Sequence, residues 1–277
     1  MRRFALILLW LMMTAIISSN QVYAWNTLQV GTYSDSAAKG SKGVSVAVRT
    51  HIYQAQESEL DYFWVSTDLS NGAFIQFGYS LEPGHFCLKG EAISGNSICL
   101  SDWDTIGSSD ARWQWQYWPN KYGINFYWGI GPANSAGSNG TWRTYSIVAN
   151  RTGWSFQLDG KEVGSIFYRP TSSSTPVKFI AEKGISSQQY SKRLGPVEFR
   201  DLAYLKEDGW HLAKTLTAFV DCVPHCNDSN PFGVAVYGPG GYMIAGSGIK
   251  QPVNGELLWN GQPIDYSAPL TNLAIQT

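Results

Sequence analysis

Apolar and polar residues alternate with period two in many short stretches of this chain, as they do in strands that bury one face. Turn-forming residues separate these stretches, and no long stretch has the period of an amphipathic helix. We therefore predict an all-β protein, an antiparallel β-sandwich of the jelly-roll or concanavalin-like type. The predicted strands are 43–49, 61–65, 73–79, 112–118, 123–129, 144–149, 154–158, 162–168, 177–182 and 197–205.

The clearest local prediction is a pair of hairpins in the middle of the chain. The stretch 144–149 leads into 154–158 across a turn at 150–153, and Asp159-Gly160 leads on into 162–168. Asp-Gly favours the two-residue turns of hairpins, because both positions of such a turn need a positive φ. The three strands are therefore predicted to follow one another as hairpins.

The two ends of the chain differ from this middle part. Met1-Arg2-Arg3 is positively charged, residues 5–17 are apolar, and Val22-Tyr23-Ala24 has the form of a signal-peptidase site. We predict a signal peptide over 1–24, a secreted mature protein, and no membrane contact after cleavage; the alternative of an uncleaved anchor is disfavoured, because a span needs ~20 apolar residues.

The rest of the chain divides where its character changes. A β-sandwich domain is predicted over 25–216. Residues 217–277 are Gly-rich in places and carry two cysteines, so we expect a disulfide-bearing β appendage or tail.

Composition narrows the function classes. Charged residues make up 15% of the chain and the formal net charge is -1, which argues against nucleic-acid binding. Twelve Trp, fifteen Tyr and 28 Gly fit a β protein with aromatic surfaces.

The four cysteines form two close pairs in the sequence. An even number in a secreted chain suggests two disulfides, most simply Cys87 with Cys99 and Cys222 with Cys226. A metal site at Cys222 and Cys226 lacks a second ligand pair at the usual spacing. We predict no metal and no cofactor.

Familiar catalytic motifs such as G-x-S-x-G, H-E-x-x-H and a phosphate-binding loop are absent from the sequence. Amides, carboxylates and aromatic residues on strands remain. They occur in a fixed order: Trp64-Val-Ser-Thr-Asp68, then Ile75-Gln76-Phe-Gly78, then Trp113-Gln-Trp115-Gln116-Tyr-Trp118-Pro-Asn120, and last Phe179-Ile-Ala-Glu182.

This order resembles the secreted glutamic peptidases over roughly residues 43 to 205. The fungal members, the eqolisins, have a Trp-Val-Gly-Ile-Asp strand, a Leu-Gln-Thr-Gly strand, a Tyr-Glu-Trp-Tyr-Pro-Asp strand and a Trp-Ile-Val-Glu strand. The plant neprosin-type peptidases have a related layout with a Cys pair after the first catalytic strand. This chain departs from the eqolisin pattern at Gln116 and Asn120, where the family carries acidic residues.

The resemblance implies a mechanism and a substrate. Glu182 would be the general base that activates water, and the amide of Gln76 would stabilise the oxyanion of a polypeptide substrate. Asp68 and Gln116 would orient that pair. The side chains of Trp64, Trp113, Trp115 and Trp118 would line the substrate cleft.

Other interpretations remain open from the sequence alone. The same residues are also compatible with structural roles in a sheet. A non-catalytic carbohydrate- or surface-binding sandwich would use the aromatic rings to stack on sugars, and a structural or interaction protein is a third possibility. Glycoside hydrolysis would need a second carboxylate beside Glu182, such as Glu198 or Asp201. The positions of two residues distinguish a peptidase from a sugar-binding sandwich, because a peptidase needs Gln76 and Glu182 side by side.

Overall fold

A computed structural model of the chain describes residues 26–34, 36–55, 59–94, 96–120, 123–168, 177–185, 193–213, 216–223, 232–237, 242–249, 258–259 and 262–263. Apart from a short 3-10 helix at Ser36–Ala38, the regular elements of these residues are strands. The first ten strands are β1 Asn26–Ser34, β2 Gly43–Arg49, β3 Glu59–Asp68, β4 Phe74–Leu81, β5 Gly84–Cys87, β6 Lys89–Ile93, β7 Asn96–Cys99, β8 Trp103–Ile106, β9 Ala111–Trp118 and β10 Phe126–Ile130.

The second half of the chain continues in the same way. Its strands are β11 Trp142–Ala149, β12 Trp154–Leu158, β13 Lys161–Ile166, β14 Lys178–Ile185, β15 Val197–Lys206, β16 Gly209–Leu212, β17 Leu216–Val223, β18 Phe232–Tyr237, β19 Tyr242–Ser247, β20 Leu258–Trp259 and β21 Gln262–Pro263.

Two large antiparallel sheets make up the fold. Sheet A has nine strands in the order β17-β1-β14-β3-β4-β9-β10-β6-β7. Sheet B has eight strands, seven in the order β13-β12-β11-β2-β15-β19-β18 and β16 paired to β15. Strands β5 and β8, and β20 and β21, form two small hairpin sheets. The predicted antiparallel sandwich is confirmed.

The core lies between the two sheets. Side chains alternate between the faces of a strand, and in β3 the residues Phe63 and Val65 face inward and are fully buried. Their partners from sheet B include Tyr145, Ile147 and Phe156. The neighbours of Phe63 and Val65 along β3 must therefore point to the other face of sheet A, and this face carries most of the predicted site.

The predicted hairpins are confirmed. β11 pairs with β12, and β12 with β13. Asp159 and Gly160 both have positive φ, 51° and 78°, as the Asp-Gly turn requires.

The boundary predicted at 216/217 does not separate a domain. β17 pairs with β1 at the edge of sheet A, and β19 pairs with β15 in sheet B. Residues 216–223, 232–237 and 242–249 therefore complete the sandwich instead of forming an appendage. Their alternation is short and interrupted by Gly and Cys, so the sequence alone did not reveal the pairing.

The predicted signal peptide over 1–24 lies outside the described residues, so its cleavage and the secretion of the protein stay predictions. Within the part of the chain that the structure describes, no helix has the length and apolarity needed to cross a bilayer.

Candidate functional site

Most of the predicted site residues share one surface. We call it the outer face of sheet A: the side chains of β1, β14, β3, β4, β9 and β10 that point away from sheet B. On β3 these are Leu60, Tyr62, Trp64, Ser66 and Asp68, because the residues between them point to the other face.

Glu182 lies on this face in the middle of the sheet. It sits directly across from Gln29 on β1 and Tyr62 on β3, and it is 8% exposed. The side-chain amide Nε2 of Gln29 donates a hydrogen bond of 3.1 Å to its Oε2. Burial raises the pKa of Glu182 to about 7, although the side chains of Gln29 and Trp64 beside it lower that pKa in part.

A second buried carboxyl, Glu82, follows β4 on the same face. The hydroxyl of Tyr62 donates a hydrogen bond of 3.2 Å to its Oε1. Burial raises the pKa of Glu82 to about 8, against smaller lowering contributions from Tyr62 and Gln114. A carboxyl with such a pKa is mostly protonated at neutral pH.

Gln76 and Gln116 form an amide pair on the neighbouring strands β4 and β9. They are directly opposite in register, and Nε2 of Gln76 donates to Oε1 of Gln116 at 2.9 Å. Both side chains are at least nine-tenths buried. The predicted association of Gln116 with Gln76 therefore has a direct contact in the structure.

Gln76 and Glu182 share the outer face but are not side by side, so the placement that the sequence hypothesis requires of a peptidase is not found for this pair. Gln76 pairs with Ser66 of β3, whereas Glu182 pairs with Tyr62. Four residues of strand separate these positions, about 13 Å along β3, and two strand spacings separate them across the sheet. Among the described side chains, the hydrogen bonds of Gln76 and of Glu182 go to other partners, Gln116 and Gln29.

The predicted Trp residues divide between the two faces. Trp64 is fully buried on the outer face, where its ring stacks on Tyr62 at 4.7 Å. Trp118 lies half-buried on the same face, in contact with Phe74 and Phe126, each at 5.5 Å between ring centroids.

Trp113 and Trp115 lie on the opposite side of the sheet, contrary to the expectation that they line the cleft. Trp115 stacks on Phe156 of sheet B with centroids 5.0 Å apart and is 5% exposed. Both indoles border a separate cavity of about 390 Å³ at the edge of the sandwich, which Phe167 also lines. Trp113 and Trp115 alternate with Gln114 and Gln116 along β9. Successive side chains of a strand point to opposite faces of the sheet, so the Trp and Gln residues lie on different faces.

Asp68 lies at the far end of the outer face. Its Oδ2 is 3.9 Å from Nζ of Lys178 on β14. The same ammonium lies over the rings of Tyr33 and Phe74, at 5.6 and 5.8 Å. Asp68 is thus placed near the aromatic end of the face, away from Glu182.

One predicted disulfide is confirmed, and the other lies outside the described part. Cys87 and Cys99 are bonded and join β5 to β7. The side chain of Cys222 and the whole of Cys226 lie outside the described residues. Within that part of the chain, no group of three or more His, Cys, Asp or Glu side chains is placed to hold a metal ion.

The alternative carboxylates for glycoside hydrolysis, Glu198 and Asp201, are on β15 of sheet B. Glu198 pairs with Arg49 at 2.7 Å and accepts a hydrogen bond from Tyr242. The structure does not bring either residue to Glu182.

Comparisons with known proteins find distant likenesses only. No protein-family model matches the chain, and no curated protein matches it. Among solved structures, the chain is similar to SCP-B, a member of the eqolisin family of peptidases in complex with the tripeptide Ala-Ile-His, with 14% identity over 81% of this chain and 99% of that one and a TM-score of 0.45.

The chain is also similar to two further solved structures. Scytalido-glutamic peptidase with a transition-state analogue inhibitor has 15% identity over 80% of this chain and 97% of that one, with a TM-score of 0.40. A glycoside hydrolase family 16 endo-glucanase from Bacteroides ovatus has 12% identity over 57% and 66%, with a TM-score of 0.33. The resemblance expected from the sequence is confirmed as a distant one, and we rest no residue role on it.

Three residues of this face escaped the sequence analysis: Gln29, Tyr62 and Glu82. The signal for Glu82 was available, because Gln76, Gly78, Ser80 and Glu82 follow at steps of two and belong to one face of an extended strand. Tyr62 stands two positions before Trp64 for the same reason. Gln29 lies distant in sequence, and only the pairing of β1 with β14 brings it to Glu182.

Proposed function

We propose that this protein is a hydrolase of glutamic type, an endopeptidase in which Glu182 is the general base and the amide beside that base is Gln29 instead of the predicted Gln76. The observation that carries the proposal is the state of Glu182: a carboxyl on a sheet face, held by an amide donor, with a pKa near neutrality. A base with a pKa close to the working pH is the most effective, since it is present in the ionised form and still attracts a proton.

The proposed reaction uses Glu182 in its ionised form. The carboxylate removes a proton from a water molecule while the water oxygen attacks the carbonyl carbon of the scissile peptide bond. Collapse of the tetrahedral intermediate breaks the C–N bond, and the leaving nitrogen takes up a proton.

The amide pair Gln76 and Gln116 is the proposed hydrogen-bonding surface for the substrate. An amide Nε2 has two hydrogens, and Gln76 uses one of them on Gln116, so the other is available to a peptide carbonyl. The separation from Glu182 along β3 favours a contact with a substrate residue away from the scissile bond. If Gln76 instead reaches the oxyanion, it does so only after a change in the arrangement of the strands.

The first experiment measures hydrolysis of an unfolded protein substrate by the purified mature protein from pH 2 to pH 9. We expect Glu182→Gln to lose at least about 1000-fold in kcat. Glu207→Gln, a change at an exposed carboxylate in the turn between β15 and β16, serves as the control and keeps full activity. A Glu182→Gln variant that is folded and fully active would sink the proposal.

Gln76→Ala separates the two roles of the amide. A rise in KM with little change in kcat identifies a substrate-binding amide, whereas a fall in kcat of about 100-fold or more identifies an oxyanion donor. The circular dichroism spectrum of each variant reports whether the sheets remain intact.

Secretion is a separate part of the proposal. The predicted signal peptide supports it, and a mature protein that begins at Trp25 is the expected product of export. N-terminal sequencing of the exported protein tests this, and an N-terminus that retains residues 1–24 contradicts it.

A second function, glycan binding without catalysis, is favoured by one observation. Phe74, Trp118, Phe126 and Trp128 form a continuous row of ring contacts beside the amide pair. Half-exposed rings next to amides suit the stacking and hydrogen bonding of sugars. Calorimetric titration with soluble oligosaccharides tests it, with Trp118→Ala expected to abolish binding and Trp103→Ala, a change at an exposed Trp on β8, expected to leave it intact.

A further inference from the structure

Tyr62 is a neighbour of both buried carboxyls of the outer face, since it hydrogen-bonds Glu82 and its pKa is raised by burial and by the charges of Glu82 and Glu182. Tyr62 is directly across from Glu182 in the register of β3 and β14, and their side chains project from the same face. Directly opposite residues in antiparallel strands have Cβ atoms about 5 Å apart. On its other side, Tyr62 donates its hydroxyl hydrogen to Oε1 of Glu82.

One carboxyl oxygen of Glu82 is buried and has no hydrogen-bond partner among the described residues. The residue is 5% exposed, and its Oε2 has no hydrogen-bond partner among the residues that the structure describes. Oε1 of Gln114, also buried on this face, is in the same state. A buried polar atom left without a partner costs roughly 1–3 kcal/mol, so it points to a ligand or to a proton on the carboxyl.

Both carboxyls are weaker acids in the folded protein than in water, because both are buried. Both pKa values are raised by burial, that of Glu82 to about 8 and that of Glu182 to about 7. Each carboxyl also accepts a hydrogen bond that lowers its pKa in part, Glu182 from Gln29 and Glu82 from Tyr62. A pair of acids with different environments on one face is the arrangement by which enzymes assign one group as acid and the other as base.

We propose that Glu82 is the second acid–base group of this site, linked to Glu182 through the hydroxyl of Tyr62. This inference rests on the proposed hydrolase function and names the proton donor that the reaction needs. It holds for an amide or a glycosidic leaving group, since both must be protonated as they depart.

The proton balance of the proposed cycle closes without another reactant. Glu182 starts ionised and takes a proton from water as the new C–O bond forms. Glu82 starts protonated and gives its proton to the leaving nitrogen as the C–N bond breaks. Tyr62 then passes its hydroxyl proton to the ionised Glu82 and receives the proton of Glu182, which restores both groups.

Other charged groups of the described residues also bear on this pair, and after burial and the two glutamates the charge of Asp61 contributes to the raised pKa of Tyr62. Asp61 belongs to the opposite face of β3, where it pairs with Lys183. Arg112 of β9 is on the outer face near Glu82, but its guanidinium is held by Asp104 and Asp110, each at 2.7 Å. The pH dependence of the site should therefore come mainly from Glu82, Tyr62 and Glu182, with a smaller contribution from Asp61.

The first test follows the carboxyl groups themselves and needs no activity. Carbon-13 labelling of the Glu carboxyls, followed by NMR titration of the wild type, Glu82→Gln and Tyr62→Phe, gives the pKa of Glu182 in each. We expect Glu82→Gln to remove the high-pH part of the Glu182 titration curve, because Glu182 then no longer has a neighbouring acid that ionises at higher pH. A curve for Glu182 that is unchanged in both variants overturns the link.

The second test is the pH dependence of kcat/KM. For the wild type, the plot of kcat/KM against pH should be bell-shaped. Ionisation of Glu182 should give its acidic limb, and ionisation of Glu82 its alkaline limb. Glu82→Gln should lose about 100-fold in kcat and also lose the alkaline limb, while Tyr62→Phe keeps the ring stack on Trp64 and shifts both limbs. A folded Glu82→Gln variant with the wild-type rate and alkaline limb overturns the acid role.

The two tests separate this inference from the proposed function. If the wild type hydrolyses no substrate, the proposed function fails, and the NMR titration alone decides whether Glu82 and Glu182 are linked. If the wild type is active and only the Glu82 variants behave as wild type, the proposed function stands and the inference fails.

Discussion

At the scale of single residues, the acid–base character of Glu182 comes from the side chains that surround it. Burial favours the neutral form, and the amide of Gln29 favours the ionised form. The balance leaves the pKa near neutrality. Gln29 is therefore the residue through which this balance can be changed without removing the carboxyl.

Gln29→Met tests this balance. Loss of the donor removes a hydrogen bond to the ionised carboxylate, so the pKa of Glu182 should rise by about one unit. The acidic limb of the activity profile should move to higher pH by the same amount. Gln157→Met on sheet B is the control, and an unmoved Glu182 titration in Gln29→Met would show that the amide does not tune it.

At the scale of elements, close packing between strands and indole rings depends on glycine. A Cβ built at Gly164 of β13 would lie 2.4 Å from Nε1 of Trp115. The ring of Trp115 is fixed on its other side by Phe156. The strand can thus approach the ring only because position 164 has no side chain.

Gly164→Ala should therefore lower the free energy of unfolding by roughly 1–3 kcal/mol through overpacking. Gly107→Ala is the matched control, because a Cβ there meets nothing within 4 Å, and it should be neutral or slightly stabilising. Urea denaturation of both variants measures the difference. Equal stabilities would contradict the packing argument.

The disulfide between Cys87 and Cys99 acts on the elements at the other edge. It closes a loop of 12 residues in sequence separation, and the carbonyl oxygen of Cys87 accepts a hydrogen bond of 2.9 Å from Nε1 of Trp128. Replacement of both cysteines by Ala should cost about 3 kcal/mol of stability through the freed unfolded chain. Unfolding free energies of the oxidised wild type and the double variant check this; identical values would refute it.

At the scale of the whole molecule, the sandwich buries charge as well as apolar surface. Lys183 is fully buried between Glu59 and Asp61, at 2.7 and 2.6 Å. The hydroxyl of Tyr53 donates to the other oxygen of Asp61. One end of the core is therefore held by an ionic cluster instead of apolar contacts.

Lys183→Met should destabilise the fold by about 3–5 kcal/mol, because it leaves two buried carboxyls without their cation. The triple variant Lys183→Met, Glu59→Gln, Asp61→Asn should recover part of that loss. Thermal and chemical unfolding of the two variants give the comparison. A single variant as stable as the wild type would contradict the charge argument.

The buried carboxyls also predict how stability changes with pH. Burial raises the folded-state pKa of Asp61 to about 6, of Glu182 to about 7 and of Glu82 to about 8, above their ordinary values. Between pH 5 and 8 the folded state therefore binds more protons than the unfolded state, and stability should fall as the pH rises.

The slope is at most about 1.4 kcal/mol per pH unit for each group. Urea denaturation at pH 5, 6, 7 and 8 measures it, and Glu82→Gln should flatten the curve between pH 6 and 8. Stability that rises over this range would contradict the raised pKa values.

Strand alternation and turn residues were enough to predict an antiparallel sandwich and the hairpins around Asp159-Gly160, because these depend on neighbours in sequence. The even number of cysteines and their closeness in sequence suggested the Cys87–Cys99 bond as the simplest pairing. The sequence also indicated some of the residues that share the outer face of sheet A, namely Gln76, Gln116, Trp64 and Glu182. Which face each Trp of β9 occupies was not assigned from the alternation, and Trp113 and Trp115 proved to face the core.

Only the tertiary structure decided which of these residues meet. Register across β14, β3 and β4 places Tyr62 beside Glu182 and separates Gln76 from it, and a shift in register leaves no trace in the sequence of a single strand. The raised pKa values of Glu82 and Glu182 likewise come from burial, which depends on the tertiary fold. The sequence determined the kinds of groups on the face, and long-range strand pairing determined their partners, because hydrogen bonding and desolvation act through space rather than along the chain.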